Sequence, residues 1–403
     1  MLILDSKRKA SYPASGSKRW LNCSGSVALS RWIQPPPSSI WAKEGTAAHY
    51  LAERALASGI SPDRYIGNHL HVTGQYHKPF IHTVTEDMAF AVAVYFQFIR
   101  SLENRHKESK RYLEQKISLK HISSKLSGTA DCIIRQPGTL IIADYKHGKG
   151  VPVSIENNPQ IAFYALGALA KFGRKFKRLE MYIIQPRFWG QDAIQTWIVD
   201  DVKGFWSEWT RTFKRGFERA RKPSKLDPIE RYNLSDECRW CDGLIICPAV
   251  QSEALMLAER SVRGMEKLGM HSIAEILRKT PAIEAYIRAI REHAKDVVLN
   301  GGKIPKFKLV ATGRSSRNWA DPKEVEEYLL DECLLDEDDI FDRKLKSPAQ
   351  IEKLKDIDKN ELADYIQKSK SFNHLVVPET DSRPAVKSAT DDFADDFDDD
   401  IFS

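Results

Sequence analysis

Between positions 128 and 172 the hydrophobic pattern of the chain changes period. Gly128-Thr129-Ala130-Asp131 leads into Cys132-Ile133-Ile134, and after Pro137-Gly138 the apolar run Thr139-Leu140-Ile141-Ile142-Ala143 ends in Asp144-Tyr145-Lys146. Two short apolar runs joined by Pro-Gly predict a strand, a tight turn and a returning strand. From Asn157 the spacing becomes helical: Asn157-Asn158-Pro159 offers a cap and a first-turn proline, and the helix predicted through Ala162 and Leu166 stops before Gly173. Upstream, Glu44-Gly45-Thr46-Ala47-Ala48-His49 opens an Ala- and Leu-rich helix predicted to about Ala57, and residues 84–104 predict another, with Phe90, Tyr95, Phe96 and Phe98 for packing. Arg111–Ile117 and residues 178–187 read as strands, and Val202–Ala220 as a helix carrying Trp206, Trp209 and Phe213. Strand and helix thus alternate, which predicts an α/β fold with a small mixed sheet flanked by helices.

Beyond residue 250 helical spacing dominates, with Leu255, Met256, Ala258, Ile276, Leu277, Ile283, Tyr286 and Ile290 as apolar positions. Gly301-Gly302-Lys303-Ile304-Pro305 interrupts it, Lys306–Val310 reads as a short strand, and Asp321-Pro322 and Ser347-Pro348 read as further helix starts. The expected organisation is a first domain over 1–250, a mainly helical extension over 251–370, and a linker with an acidic tail over 371–403. Residues 391–403 hold seven aspartates with Phe393, Phe397 and Phe402. That segment is too charged to fold alone and reads as a solubilising tail, a lid over basic surface, or a docking peptide.

Charge sharpens this division. The net charge of +6 conceals 37 Lys/Arg against 23 Asp/Glu in residues 1–250, and 24 against 32 in the remainder. The front has the electrostatics of a nucleic-acid binder and the back does not. No apolar run reaches membrane-spanning length, and Met1-Leu2-Ile3-Leu4-Asp5 is too soon charged for a signal peptide, so a cytoplasmic protein with no membrane partner is expected. No Gly-x4-Gly-Lys-Ser/Thr occurs, which excludes a P-loop motor in this chain.

Two constellations carry chemistry. A hairpin over 128–145 would bring Asp131 and Asp144 together and put Lys146 on the face of Asp144, because strand side chains alternate. Two carboxylates and an ammonium at a strand end can bind a divalent cation and activate water for phosphodiester hydrolysis; the plain alternative is a surface hairpin. Gln160 and Tyr164, four apart, share a helix face. The second constellation is Cys238-x2-Cys241-x5-Cys247, three thiolates where a structural zinc or a cubane iron–sulfur cluster needs four. Cys132 and Cys333 read as isolated thiols. Lys214, Arg215, Arg219, Arg221 and Lys222 form a basic run that is either a solvated face or a phosphate-holding surface.

Gly-x-x-Asp at 128–131, Asp-x-Lys at 144–146 and Gln-x-x-x-Tyr at 160–164, in that order, resemble the RecB-like exonuclease branch of the PD-(D/E)XK nuclease superfamily. The layout of nearly the whole chain, including Lys344–Gln350 and Val377-Pro378-Glu379, resembles a phage- and prophage-encoded RecB-like family of uncharacterised function. The resemblance implies a restriction-endonuclease-like core and a metal-dependent deoxyribonuclease, an exonuclease in form. Asp131, Asp144, His49 (from Gly-x-x-x-His at 45–49) and the Tyr145 carbonyl would hold Mg²⁺ or Mn²⁺. Lys146 would orient water, with Gln160 and Tyr164 positioning it or the strand. One amino-terminal cysteine with three carboxy-terminal ones is the pattern of the iron–sulfur members, which makes Cys23 the fourth ligand of a 4Fe–4S cluster, with zinc as the alternative. DNA is the implied partner, in recombination, replication or repair in a bacterial cell, and the acidic tail, read as a docking peptide, would bring a single-stranded-DNA-binding protein or recombinase. The competing reading is a non-catalytic DNA-binding scaffold that keeps the fold.

Overall fold

The computed structural model describes residues 9–33, 39–74, 77–189, 193–262, 269–299, 302–307 and the isolated position 330. The chain divides into a compact unit over Met1–Lys308 and a second over Leu309–Ser403, and all the described residues but position 330 belong to the first. The acidic tail, the linker before it, Cys333, the helix starts at Asp321 and Ser347, and Lys308–Val310 of the expected short strand lie outside the described residues; Lys306 and Phe307 are not in a strand.

The central sheet has six strands: β1 (Tyr12–Pro13), β4 (Lys110–Ser118), β5 (Leu126–Gln136), β6 (Thr139–Tyr145), β7 (Arg178–Ile184) and β8 (Ile194–Val199). A separate two-stranded ribbon joins β2 (His69–Gly74) to β3 (His77–Thr83). β4, β5 and β6 form an antiparallel meander, β7 lies parallel to β6, and β8 returns antiparallel to β7. β1 pairs parallel with Leu126–Ser127, the part of β5 ahead of its pairing with β6. The expected turn is present, with Gly138 at φ +75°, a left-handed conformation that glycine adopts without penalty.

The parallel step from β6 to β7 requires a crossover, supplied by α5 (Pro159–Phe172). Asn157 stands at φ +47° and Asn158 caps the helix, its Oδ1 accepting from the Gln160 N–H at 2.9 Å. α5 and α7 (Val202–Arg221) cover one sheet face, where Ile133, Leu140, Ile142, Met181 and Ile183 meet Phe163, Phe213 and Phe217. α3 (Ile40–Ser58) and α4 (Glu86–Asn104) cover the other, packing Leu51, Ala55, Met88 and Tyr95 on Cys132, Ile134, Ile141 and Tyr145. The described unit is therefore a mixed α/β sandwich. α3 begins earlier than the sequence pattern suggests, because Ser39 caps it by accepting from the Ala42 N–H at 3.1 Å.

The remaining elements close the ends. α1 (Ser17–Asn22) and α2 (Ser26–Ser30) pack on α7, while α6 (Pro186–Trp189) and α8 (Pro228–Arg231) are single turns. α9 (Pro248–Val262) and α10 (Met270–Leu299) provide the helices expected beyond 250, and Ala282 and Ile283 of α10 pack on the cysteine-bearing segment. Among the described residues no helix is long and apolar enough to cross a membrane.

Candidate active site

Side chains keep alternating to the end of β6. Leu140 and Ile142 face α5, so Asp144 and Lys146 do too, and Lys146 Nζ lies 2.9 Å from Asp144 Oδ2. Gln160, in the first turn of α5, bridges the pair: its Oε1 accepts from Lys146 Nζ at 3.1 Å and its Nε2 donates to Asp144 Oδ1 at 3.2 Å. The same amide donates to the Tyr164 hydroxyl at 2.9 Å. Asp144 is 2 % exposed. Burial raises its pKa to about 6 against the opposing pull of Lys146. Burial would by itself lower the Lys146 pKa, but the Asp144 and Asp131 carboxylates outweigh it and the net shift is upward. The amine is held as an ammonium.

Asp131 stands where the β5–β6 ladder stops. Strand pairing reaches Cys132↔Ala143, and the next donor, the Tyr145 N–H, goes to Asp131 Oδ2 at 2.7 Å. His49, on the buried side of α3, brings Nδ1 within 3.5 Å of the same oxygen. Four of the expected groups, Asp144, Lys146, Gln160 and Tyr164, are thus joined by hydrogen bonds or an ion pair, and a second pair, His49 and Asp131, adjoins them through the backbone of Tyr145.

Sequence reasoning passed over Glu114. Its strand pairs with β5 in one register from Lys110↔Arg135 to Ser118↔Ser127, broken only at Glu114 opposite Asp131. Glu114 has φ +42°, which costs a residue with a Cβ roughly 1–2 kcal/mol. Side-chain facing reverses across this point. Ile117 and Ala130 pack with α5, whereas Leu113 and Cys132 pack with α3 and α4, although regular alternation would keep Leu113 with Ile117 and Ala130 with Cys132. The distortion turns Glu114 toward Asp131 and His49, and one ligand atom from each of the three lies within 4.8 Å of the others. Burial, with Asp131, Glu53 and Asp144 adding repulsion, raises the Glu114 pKa to about 8. The sequence offered only a charge in an alternating strand, the ordinary mark of a solvent-facing position.

A second set anchors α3. Arg187, 8 % exposed at its side chain, reaches Glu44 of α3 at 2.8 Å and Asp87 of α4 at 2.7 Å. Its guanidinium is also 2.6 Å from His147 Nε2, and His147 Nδ1 is 2.8 Å from the Tyr145 hydroxyl. Burial, then the Arg187 charge, lowers the His147 pKa to about 4, so the ring is neutral and accepts from Arg187. Tyr145 closes the route from this network to Asp131.

The four cysteines expected to act together line one cavity: Cys23 follows α1, Cys238 lies in the 3-10 turn Asp236–Trp240, Cys241 joins it to the turn Asp242–Ile246, and Cys247 follows that turn. Lys18–Glu237 at 3.0 Å and the Gly25 N–H to Arg231 carbonyl bond at 2.8 Å tie the same segments. Gly25 is needed there, since a Cβ would collide with the Tyr232 ring. Burial raises the pKa of Cys23 and Cys238, and that of Cys241 to about 11. Cys132 is fully buried in the sheet, and burial pushes its thiol up as well. In the basic run, Arg219 pairs with Glu230 at 3.7 Å and Arg221 with Glu218 at 2.7 Å, while Lys214, Arg215 and Lys222 are exposed.

A family model described as "Protein of unknown function (DUF2800)" matches residues 9–384. Among solved structures, one described as a "Putative exonuclease" from Eubacterium rectale aligns at 10 % identity over 54 % of this chain and 83 % of its own, with a TM-score of 0.28. Another, described as SSO0001, aligns at 14 % identity over 60 % of this chain and 88 % of its own, with a TM-score of 0.23. Superpositions this loose establish neither a shared fold nor a shared activity.

Proposed function

We propose, for a chain that belongs to the DUF2800 family, a metal-dependent DNA nuclease with a PD-(D/E)XK core of RecB-like type, acting as an exonuclease. The observation that carries this reading is the Asp144–Lys146–Gln160 triangle beside Asp131. An apolar sheet end has no structural use for a buried carboxylate and ammonium, and burying such a pair seldom adds stability. A nuclease needs both groups there.

The donor set fits a divalent cation. Asp131 and Asp144 supply hard oxygens, Tyr145 follows Asp144 at the end of β6 and would add its carbonyl, and the His49 imidazole favours Mn²⁺ over Mg²⁺. A cation held there supplies Lewis-acid polarisation of the scissile phosphate and a more acidic attacking water. The chain does the rest. Lys146, fixed by Asp144 and Gln160, presents its ammonium to the negative charge that builds on the phosphoryl oxygens. Gln160 holds the ammonium against rotation, and Tyr164 orients the Gln160 amide. Exposed Lys214, Arg215 and Lys222 offer charge for the DNA backbone, with a single-stranded-DNA-binding protein or recombinase as further partner.

The four cysteines that line one cavity offer a soft donor set for a 4Fe–4S cluster or, as the alternative, a structural zinc. A 4Fe–4S group, held by Cys23, Cys238, Cys241 and Cys247, would staple the two ends of the domain.

The test of the reading is incubation of purified protein with end-labelled single- and double-stranded DNA in Mn²⁺, Mg²⁺ or chelator. Metal-dependent shortening of either substrate supports it. DNA bound but left intact under all conditions would favour the scaffold.

A further inference from the structure

Beside the triangle is a small pocket of which the mechanism above uses only His49, Asp131 and Tyr145. His49, Glu53, Tyr95, Glu114, Asp131 and Tyr145 line it, together with apolar Ala52, Leu56 and Leu113; Asp144 and Lys146 do not. It therefore lies on the α3–α4 side of Asp131, opposite the side that faces α5. We infer that Glu114 is a further ligand of the divalent cation, joining His49 and Asp131 around it in this pocket, with the Tyr95 hydroxyl as the hydrogen-bond partner of the hydrated ion.

Three acidic groups near a histidine do not make a site by themselves. The independent observation is Tyr95: the residue is 2 % exposed, lines the pocket, and its hydroxyl has no hydrogen-bond partner. A buried phenol normally finds one, because leaving it unpaired forfeits its hydration for nothing. Among the charges that act on this hydroxyl are those of Asp131, Asp144 and Glu114, and they disfavour its ionisation further after burial has done so. A neutral donor held among carboxylates is suited to an ion and its water. The donor atoms of His49, Glu114 and Asp131 lie mutually within 4.8 Å, close enough to close around one cation at oxygen and nitrogen distances of about 2.0–2.2 Å. One imidazole with carboxylates suits manganese or a similar transition ion better than calcium. The left-handed backbone at Glu114 is what delivers its carboxylate to the pocket.

The inference rests on the metal-dependent reading above and extends it, since Glu114 and Tyr95 belong to no part of the triangle. The full chain is titrated with MnCl₂ by calorimetry, and the bound ion is examined by pulsed electron paramagnetic resonance for nitrogen coupling. The parent should show nitrogen coupling that His49→Ala abolishes. Glu114→Gln should weaken that site at least tenfold, and Tyr95→Phe by several-fold to tenfold, as expected for loss of an outer-shell partner. Glu114→Gln should also shrink the increase in melting temperature that Mn²⁺ produces. Glu114→Ala serves if the Gln variant does not fold. A folded Glu114 variant that binds Mn²⁺ with parental affinity and parental nitrogen coupling overturns the inference. The two readings fail separately. Binding through Glu114 by a protein that cuts no DNA keeps the site and removes the nuclease, while cleavage with Glu114-independent Mn²⁺ binding does the reverse.

Discussion

Asp144 illustrates how a residue's burial and its partners pull in opposite directions. Burial alone would keep it protonated, and Lys146 draws it back toward the charged form while Gln160 holds the two together. The pair depends on both members, so Lys146→Ala should lower the cleavage rate by about 10²–10³-fold, the scale of a lost transition-state charge contact, while DNA affinity changes little. Single-turnover rates with a filter-binding assay separate the two effects, and equal loss of both would reassign Lys146 to binding. Gln160→Ala should cost less, about tenfold, because the ammonium remains but is no longer held. These residues were legible in the sequence for a simple reason: period 2 places Asp144 with Lys146, and a four-residue helical step places Gln160 with Tyr164. Glu114 and Tyr95 were not. One depends on a left-handed kink that reverses the facing of two strands, and the other is an aromatic within a run of packing residues.

Helix α5 was the most legible element, because Asn158-Pro159 states its start chemically and Gly173 its end. The β2–β3 ribbon was not, since histidine, threonine and lysine stand where apolar alternation would have announced strands. The position of α3 is set by a network no local pattern displays: Arg187 joins α3, α4 and His147 at the end of β6. Arg187→Met should therefore destabilise the unit by roughly 3 kcal/mol in urea unfolding, because Glu44 is left partly buried without its partner. Cleavage should fall with it as His49 loses its support. The same network gives a pH dependence. The folded pKa of His147, about 4, lies below its unfolded value near 6.5, so the unfolded chain takes up more protons between them. The contribution of neutral His147 is fully present above about pH 6.5 and is lost as pH falls toward 4. The urea midpoint should drop across that window in the parent and drop less in His147→Gln; parallel curves would remove His147 as the cause.

At the scale of the molecule, the fold brings Cys23 beside Cys238, Cys241 and Cys247 in one cavity, where the first helices meet the last turns of the sheet domain. The spacing Cys-x2-Cys-x5-Cys revealed the three local thiols, but the fourth is separated by more than two hundred residues, and composition cannot say which distant cysteine closes the set. Protein purified without oxygen should be brown and contain iron. Cys23→Ser and Cys247→Ser should each lose the colour and lower the unfolding temperature, whereas Cys132→Ser should retain iron; a colourless chain with stoichiometric zinc would replace the cluster by a single ion. The alternation of strand and helix revealed an α/β sandwich, yet not how α10 would pack against the cysteine segment, because its apolar positions are shared by any amphipathic helix. The proposed chemistry rests on Asp131, Asp144 and Lys146. The most direct test compares the parent with Asp144→Ala on end-labelled DNA at equal Mn²⁺, with circular dichroism confirming that both are folded. Cleavage by the parent and none by the variant is the predicted result, and a folded Asp144→Ala chain that cuts as fast as the parent would contradict the assignment.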